Sequence, residues 1–119
     1  GLKRLYVGKL VRGPEFSTFG VKGYPKMRTA IAYDDEGIIN VDALFQAVDA
    51  WHGLKKGDYV IVSGTLKSYE AKDGNKKWYL EADFVTADLS TIYRRFAEQQ
   101  SPKDISGFKE ITDDDLPFD

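Results

Sequence analysis

The sequence predicts an all-β domain with one helix behind it, and three observations carry that expectation. Gly57 to Val85 reads GDYVIVSGTLKSYEAKDGNKKWYLEADFV, two β-prone arms rich in Val, Ile, Tyr and Thr around a tight turn. In the second arm Trp78, Leu80, Ala82 and Phe84 alternate with Tyr79, Glu81 and Asp83, the period of a strand with one face in a core. Sustained helical spacing comes later, where Leu89, Ile92, Tyr93 and Phe96 recur three and four residues apart.

Leu2 to Arg12, LKRLYVGKLVR, reads as the first strand, interrupted by Gly8 where a tightly curved strand needs relief. Gly13 to Pro25 reads as a loop, with three Gly and two Pro around Phe16, Phe19 and Tyr24. Rings in such a loop either fold back to cap the core or stand out as stacking platforms, since every base has a π-face. Lys22 and Lys26 lie close enough in sequence to meet phosphates there. Lys26 to Asp34, which contains Arg28, is the second strand, and Asp34-Asp35-Glu36-Gly37 is the turn that ends it. Ile38 to Ala47 is the third. Val48 to Lys56 leaves room for at most two turns of helix to seal one end of the core, with Trp51 as a core plug and His52 structural.

Tyr59 to Tyr69 and Lys76 to Thr86 are the arms of the central hairpin, with Gly64 marking a bulge or sharp bend. In the connection, Asp73-Gly74-Asn75 accepts the positive φ of a tight turn. The alternation places Trp78 with Leu80 and Phe84, which favours the core for its ring. Tyr69 and Tyr79 fall on the other face, and Lys67, Lys72, Lys76 and Lys77 crowd the tip. Basic residues interleaved with aromatics are what an electrostatic groove with stacking sites requires. A solvated hairpin is the plainer alternative. The helix should run from about Asp88 to Gln99, with Asp88 or Ser90 as N-cap and its apolar stripe packed against the barrel or another subunit.

At 119 residues with 42% apolar content, the chain suits one domain able to bury a core unaided. It has no Cys, and a lone His52 cannot build a zinc site, so no metal or other cofactor is expected. No Ser/His/Asp set, phosphate loop or carboxylate cluster outside turns and tail stands out, so no enzyme is expected. The amino terminus lacks the plan of a signal peptide and no apolar run is long enough to cross a bilayer, which makes the cytoplasm the expected location. The net charge of -2 hides a split: residues 1–100 carry 15 Lys and Arg against 13 Asp and Glu, and residues 101–119 carry two against six. A mildly basic body with an acidic tail permits a nucleic-acid partner, because the position of positive charge matters more than its sum.

Four stretches resemble bacterial and phage single-stranded DNA-binding proteins. Gly8, Leu10, Arg12, Pro14 and Glu15 match the Gly-x-Leu-x-Arg-x-Pro-Glu in which the family's opening strand commonly ends. The hairpin, with GTLKSYE, a K-D-G-N-K-K turn and an interior Glu, is similar to the last two strands of the family's OB barrel. Asp113, Asp114, Asp115, Leu116, Pro117 and Phe118 look like the family's acidic tip, which docks on replication and repair proteins. LFQAVDA is similar to a Leu-Phe-Gly-x-x-Ala-Glu stretch whose Phe stacks on a base, which implies that role for Phe45. Departures are Ile39 where a stacking Trp is common, the helix itself, and Asp119 after the terminal Phe.

The resemblance implies a five-stranded OB-fold Greek-key barrel over residues 1–88 and an acidic tail over 101–119, and the helical spacing places an amphipathic helix over 89–100 between them. It implies sequence-independent binding of single-stranded DNA in replication, recombination or repair, for a phage or mobile element. The expected DNA-binding set is Phe45, Tyr69, Phe16, Phe19, Tyr24, Tyr79 and Trp78 as rings, with Arg12, Lys22, Lys26, Arg28, Lys67, Lys72, Lys76 and Lys77 as cations. The tail would bind replication or recombination proteins, and a homodimer or homotetramer is expected. The alternative is an OB-fold protein-interaction module of a replication or primosome complex with weak DNA binding.

Overall fold

The computed structural model describes residues 2–35 and 37–99; the tail expectations over residues 101–119 lie outside them. Six strands are formed: β1 (Leu2–Leu10), β2 (Glu15–Phe19), β3 (Tyr24–Ala32), β4 (Ile38–Leu44), β5 (Tyr59–Glu70) and β6 (Lys76–Ala87). They make one sheet in the order β1-β5-β6-β4-β3-β2, and a second pairing of β1 with β3 closes it into a barrel. All neighbours are antiparallel except β4 and β6. Five strands therefore form the closed ring, and β2 lies outside it as the hairpin partner of β3. This is the OB-fold connectivity.

Closure depends on β1 serving two partners in turn. Leu2 to Lys9 pair with Leu66 to Tyr59 of β5, whereas Lys9 and Leu10 pair with Ala32 and Ile31 of β3. The chain must bend sharply at this corner. A Cβ on Gly8 would collide with the Ala32 carbonyl oxygen and the Ile31 side chain, so only glycine lets the strands close. Inside, Leu10, Met27, Ile31, Val41, Trp51, Val60, Val62 and Leu80 are fully buried. Trp51 is the plug its position suggested.

The hairpin departs from simple alternation at one place. Gly64 faces Ala82 but Ser63 faces Phe84, so Asp83 is an extra residue in β6. Beyond this bulge the core parity changes from Leu80 and Ala82 to Val85, and Phe84 turns outward, exposed. Trp78 is also exposed, at 48%, because its part of the hairpin lies beyond the buried core that ends at Leu80. Both assignments to the core by parity are corrected. At the tip Gly74 takes φ 84° and no positive φ falls on Asn75.

The 13–25 stretch is not a loop. Glu15 to Phe19 pair with Arg28 to Tyr24, around a turn at Gly20 to Gly23 where both glycines have positive φ. The third strand ends earlier than expected, at Leu44, and Phe45–Trp51 form a short 3-10 helix under the barrel.

The terminal helix α1 (Leu89–Gln99) begins at Asp88, whose carboxylate accepts from the Leu89 N–H at 2.8 Å and whose carbonyl accepts from Ile92 at 3.1 Å. Its polar face, not its apolar stripe, packs on the barrel. Thr91 is fully buried and exchanges hydrogen bonds with the backbone of Tyr59. Asp58, fully buried, accepts from Arg94 at 2.6 Å and from Arg95 at 2.5 Å. Leu89, Ile92, Tyr93 and Phe96 are left exposed. Packing of the stripe against the chain's own barrel is therefore ruled out. Among the described residues no helix is long and apolar enough to cross a membrane, and no group of three His, Asp or Glu could hold a metal.

Candidate nucleic-acid interface

The outward face of the barrel is built by strand parity. On β3, Met27, Thr29 and Ile31 point inward, which leaves Tyr24, Lys26 and Arg28 outside; on β4, buried Ile39, Val41 and Ala43 leave Asn40, Asp42 and Leu44 outside. Parallel pairing sets Asn40 opposite Tyr79 and Asp42 opposite Glu81, and antiparallel pairing sets Lys67 opposite Tyr79 and Tyr69 opposite Lys77. Lys67, Tyr69, Lys77 and Tyr79 of the hairpin thus share one face with the outward residues of β3.

These side chains enclose a cleft of about 390 Å³ lined by Arg12, Lys26, Arg28, Asn40, Asp42, Tyr69 and Tyr79. That is the size of a small-ligand pocket. The Tyr69 and Tyr79 rings form one wall, with centroids 6.0 Å apart. Arg12 Nη2 donates to Asn40 Oδ1 at 3.4 Å, and Arg28 Nε lies 3.5 Å from Asp42 Oδ1. A second cleft of about 530 Å³, whose lining includes Leu44, Phe45 and Glu81, adjoins it where Asp42 and Glu81 are register partners.

Beyond the second cleft stands a cluster of three rings. Phe45 lies 5.4 Å from Phe19 and 5.2 Å from Tyr24, and Phe19 and Tyr24 are 5.7 Å apart. Phe45 is 48% exposed and has φ 56°, a left-handed conformation that bulky residues rarely adopt. This turn takes the chain out of β4 at Phe45 and into the 3-10 helix. Outliers of this kind concentrate where a side chain must be aimed.

Other expected site residues are placed apart from the cleft. Phe16 falls on the opposite side of β2 from Phe19 and stacks on His52, with centroids 4.1 Å apart and planes 8° from parallel. His52 thereby gains a partner that the sequence could not name. Trp78 sits on the far side of the hairpin from Tyr79, with the Lys76 ammonium 4.9 Å from its ring centre. Lys22 and Lys72 are exposed in the turns at the two hairpin ends. Asn40 and Asp42 are additions to the expected set. Their signal was the alternation in IINVDAL, which becomes a site only once β4 is paired with β6.

The face is not uniformly positive. Lys67 Nζ lies 2.5 Å from Glu81, and that hydrogen bond raises the lysine pKa above its ordinary value. Asp42 and Glu81 thus stand between Arg28 and Lys67 across the strands. On the bulge, hydrogen bonds from Lys3 at 2.7 Å and from the Ser63 hydroxyl at 2.7 Å hold the Asp83 carboxyl below the usual carboxylate range.

An OB-fold barrel with a basic, ring-lined face is what the geometry defines, and comparison with solved structures agrees on the barrel. The chain is similar to the wild-type single-stranded DNA-binding protein from Thermus aquaticus, at 21% identity and TM-score 0.62 over 72% of this chain. It is similar to the second single-stranded DNA-binding protein from Mycobacterium smegmatis, at 24% identity and TM-score 0.65 over 76% of this chain and 89% of that one. The small single-stranded DNA-binding protein from Streptomyces coelicolor matches at 24% identity and TM-score 0.58, over 75% of this chain and 94% of that one. The match spans about two-fifths of the Thermus aquaticus chain, 40% and 39% in two structures of it. No protein-family model and no curated protein matches the chain. At these identities the likeness establishes the fold.

Proposed function

We propose that this chain binds single-stranded DNA largely without regard to sequence, in replication, recombination or repair. The observation that carries the reading is the cleft, where Arg12, Lys26 and Arg28 stand opposite the Tyr69 and Tyr79 rings and lead towards the Phe19, Tyr24 and Phe45 cluster. Cations on such a face track phosphates and release counterions, while rings stack on bases that only an unpaired strand exposes. The printed names of the similar structures point the same way. No step of this binding calls for catalysis or a cofactor.

A titration of a fluorescent oligo-dT across a salt series tests the reading. Neutralising about six phosphates gives a log-log slope of about -4 on a single strand. A slope near zero, or equal affinity for duplex of the same length, overturns it.

The exposed stripe of α1 supports a further part of the proposal, self-association into a dimer or tetramer. The same stripe favours the second reading, a protein-interaction module of a replication complex with weak DNA binding, which oligo-dT affinity separates from the first. Asp113 to Phe118 are proposed to engage replication or recombination proteins, on the resemblance of their sequence alone. Origin in a phage or mobile element and residence in the bacterial cytoplasm belong to the same proposal.

A further inference from the structure

The cleft contains two groups that a purely electrostatic groove has no use for. Asn40 and Asp42 are successive outward residues of β4, about 7 Å apart along the strand. Asp42 is an acidic acceptor, 17% exposed, whose presence weakens any attraction for phosphate. Arg28 approaches only its Oδ1, and a carboxylate offers about four lone-pair sites. The Asn40 carbonyl oxygen is turned towards Arg12, which leaves its NH₂ as the donor it can present to the cleft. Tyr79, register partner of Asn40, supplies a ring beside them. Cleft, acceptors, donor and stacking wall together make a base-sized site with a polar edge.

Resting on the single-strand reading, we propose that this cleft reads one base, guanine, through Asp42 and Asn40. The site presents two acceptor positions on one carboxylate and then a donor. The Watson–Crick edge of guanine is the complement, with N2–H and N1–H donors followed by the O6 acceptor. Cytosine and adenine each offer one amino donor followed by a ring-nitrogen acceptor that faces a carboxylate unfavourably. Thymine places its N3–H between two carbonyls, the worst match. Unpaired bases are read on this edge while stacked on aromatic side chains. The remaining contacts along the strand stay indifferent to sequence, so guanine is a preference laid over general binding.

Oligo-dT 20-mers carrying dG, dI, dC or dA at every fourth position, too sparse to pair with one another and equal in length and charge, are titrated with the full chain, with unsubstituted oligo-dT as reference. The dG/dT strand is expected to bind about ten-fold tighter than oligo-dT, within the range of one good bidentate base contact. The dI/dT strand, which lacks only the 2-amino group, loses most of that gain. In Asp42→Asn the affinities converge, and oligo-dT binds more tightly because a negative charge has left the basic face. Equal affinity of the wild-type chain for all strands overturns the inference while leaving single-strand binding intact. A dG preference that survives in Asp42→Asn also overturns it. Failure to bind any strand, oligo-dT included, removes the proposed function itself.

Discussion

Phe45 offers a test in which backbone strain and base stacking separate. A Phe ring covers about 150–250 Å², and with 48% left exposed Phe45 buries about 100 Å² against Phe19 and Tyr24. At about 25 cal/mol per Å² that contact stabilises the fold by about 2.5 kcal/mol. Its φ of 56° costs about 1–2 kcal/mol for any residue with a Cβ. Phe45→Ala loses the ring contact and keeps the strain. Phe45→Gly loses the same contact and sheds the strain, against about 0.5–1 kcal/mol of extra chain entropy. Glycine should therefore be the more stable variant by about 0.5–1 kcal/mol, or about 4 °C in melting temperature, the reverse of the usual order.

Affinity for oligo-dT should follow the ring instead. Both variants lose one stacking platform, worth about 1–3 kcal/mol or about 5- to 150-fold, and should lose it equally. Differential scanning fluorimetry and anisotropy titration read the two effects on the same samples. An alanine variant more stable than the glycine variant refutes the strain argument. Unchanged affinity per folded molecule in both variants removes Phe45 from the DNA face.

Asp58→Ala should cost about 2–3 kcal/mol, below the range for a fully buried pair because Arg94 and Arg95 are 40% and 36% exposed and can rehydrate. Hydrogen exchange should then accelerate in α1 first, and unchanged α1 protection would contradict the latch. Ile92→Glu with Phe96→Glu should lower the mass seen by light scattering and leave the melting temperature within about 2 °C, since both side chains are exposed; a large loss of stability would mean intramolecular packing. Asp83→Asn should cost less than about 1 kcal/mol at neutral pH, because the Lys3 pair is exposed. The folded carboxyl titrates below its unfolded counterpart, so its contribution is complete above the ordinary carboxylate pKa and fades as pH falls through the depressed value. Urea midpoints of wild type and variant should therefore converge in acid, and a constant gap would show that charge is not involved.

The strands that face a core on one side were legible because alternation survives in the sequence: Tyr59 to Glu70 and Ile38 to Leu44 show it plainly. β2 was not, since EFSTF lies among glycines and prolines and its hydrogen-bonding partner is a strand whose start at Tyr24 had been counted as loop. The helix was legible as an element but not as a packing problem. Its hydrophobic stripe suggested the buried side, whereas the attachment is made by Thr91, Arg94 and Arg95 around Asp58. Asp58 in KKGDY reads as a turn residue, and nothing local announces that two arginines 36 and 37 positions later will close on it.

The candidate site was half legible for a related reason. Residue type named the cations and rings, but parity decides which of them meet, and one bulge sets the parity of β6, which with β5 is one of the two longest strands. On the tip side of Asp83, even-numbered Leu80 and Ala82 face the core, so odd-numbered Tyr79 lines the cleft and Lys77 lies on the same face; on the other side Val85 takes the core. A strand without the extra residue would keep one register throughout, and a slip of one position exchanges its two faces. Either Val85 would leave the core, or Leu80 and Ala82 would do so and carry Tyr79 inward. The bulge therefore lets a single strand hold a packed core at its base and present Tyr79 to the cleft further out. Lys3 and Ser63, bonded to the bulged carboxylate, hold that compromise in place.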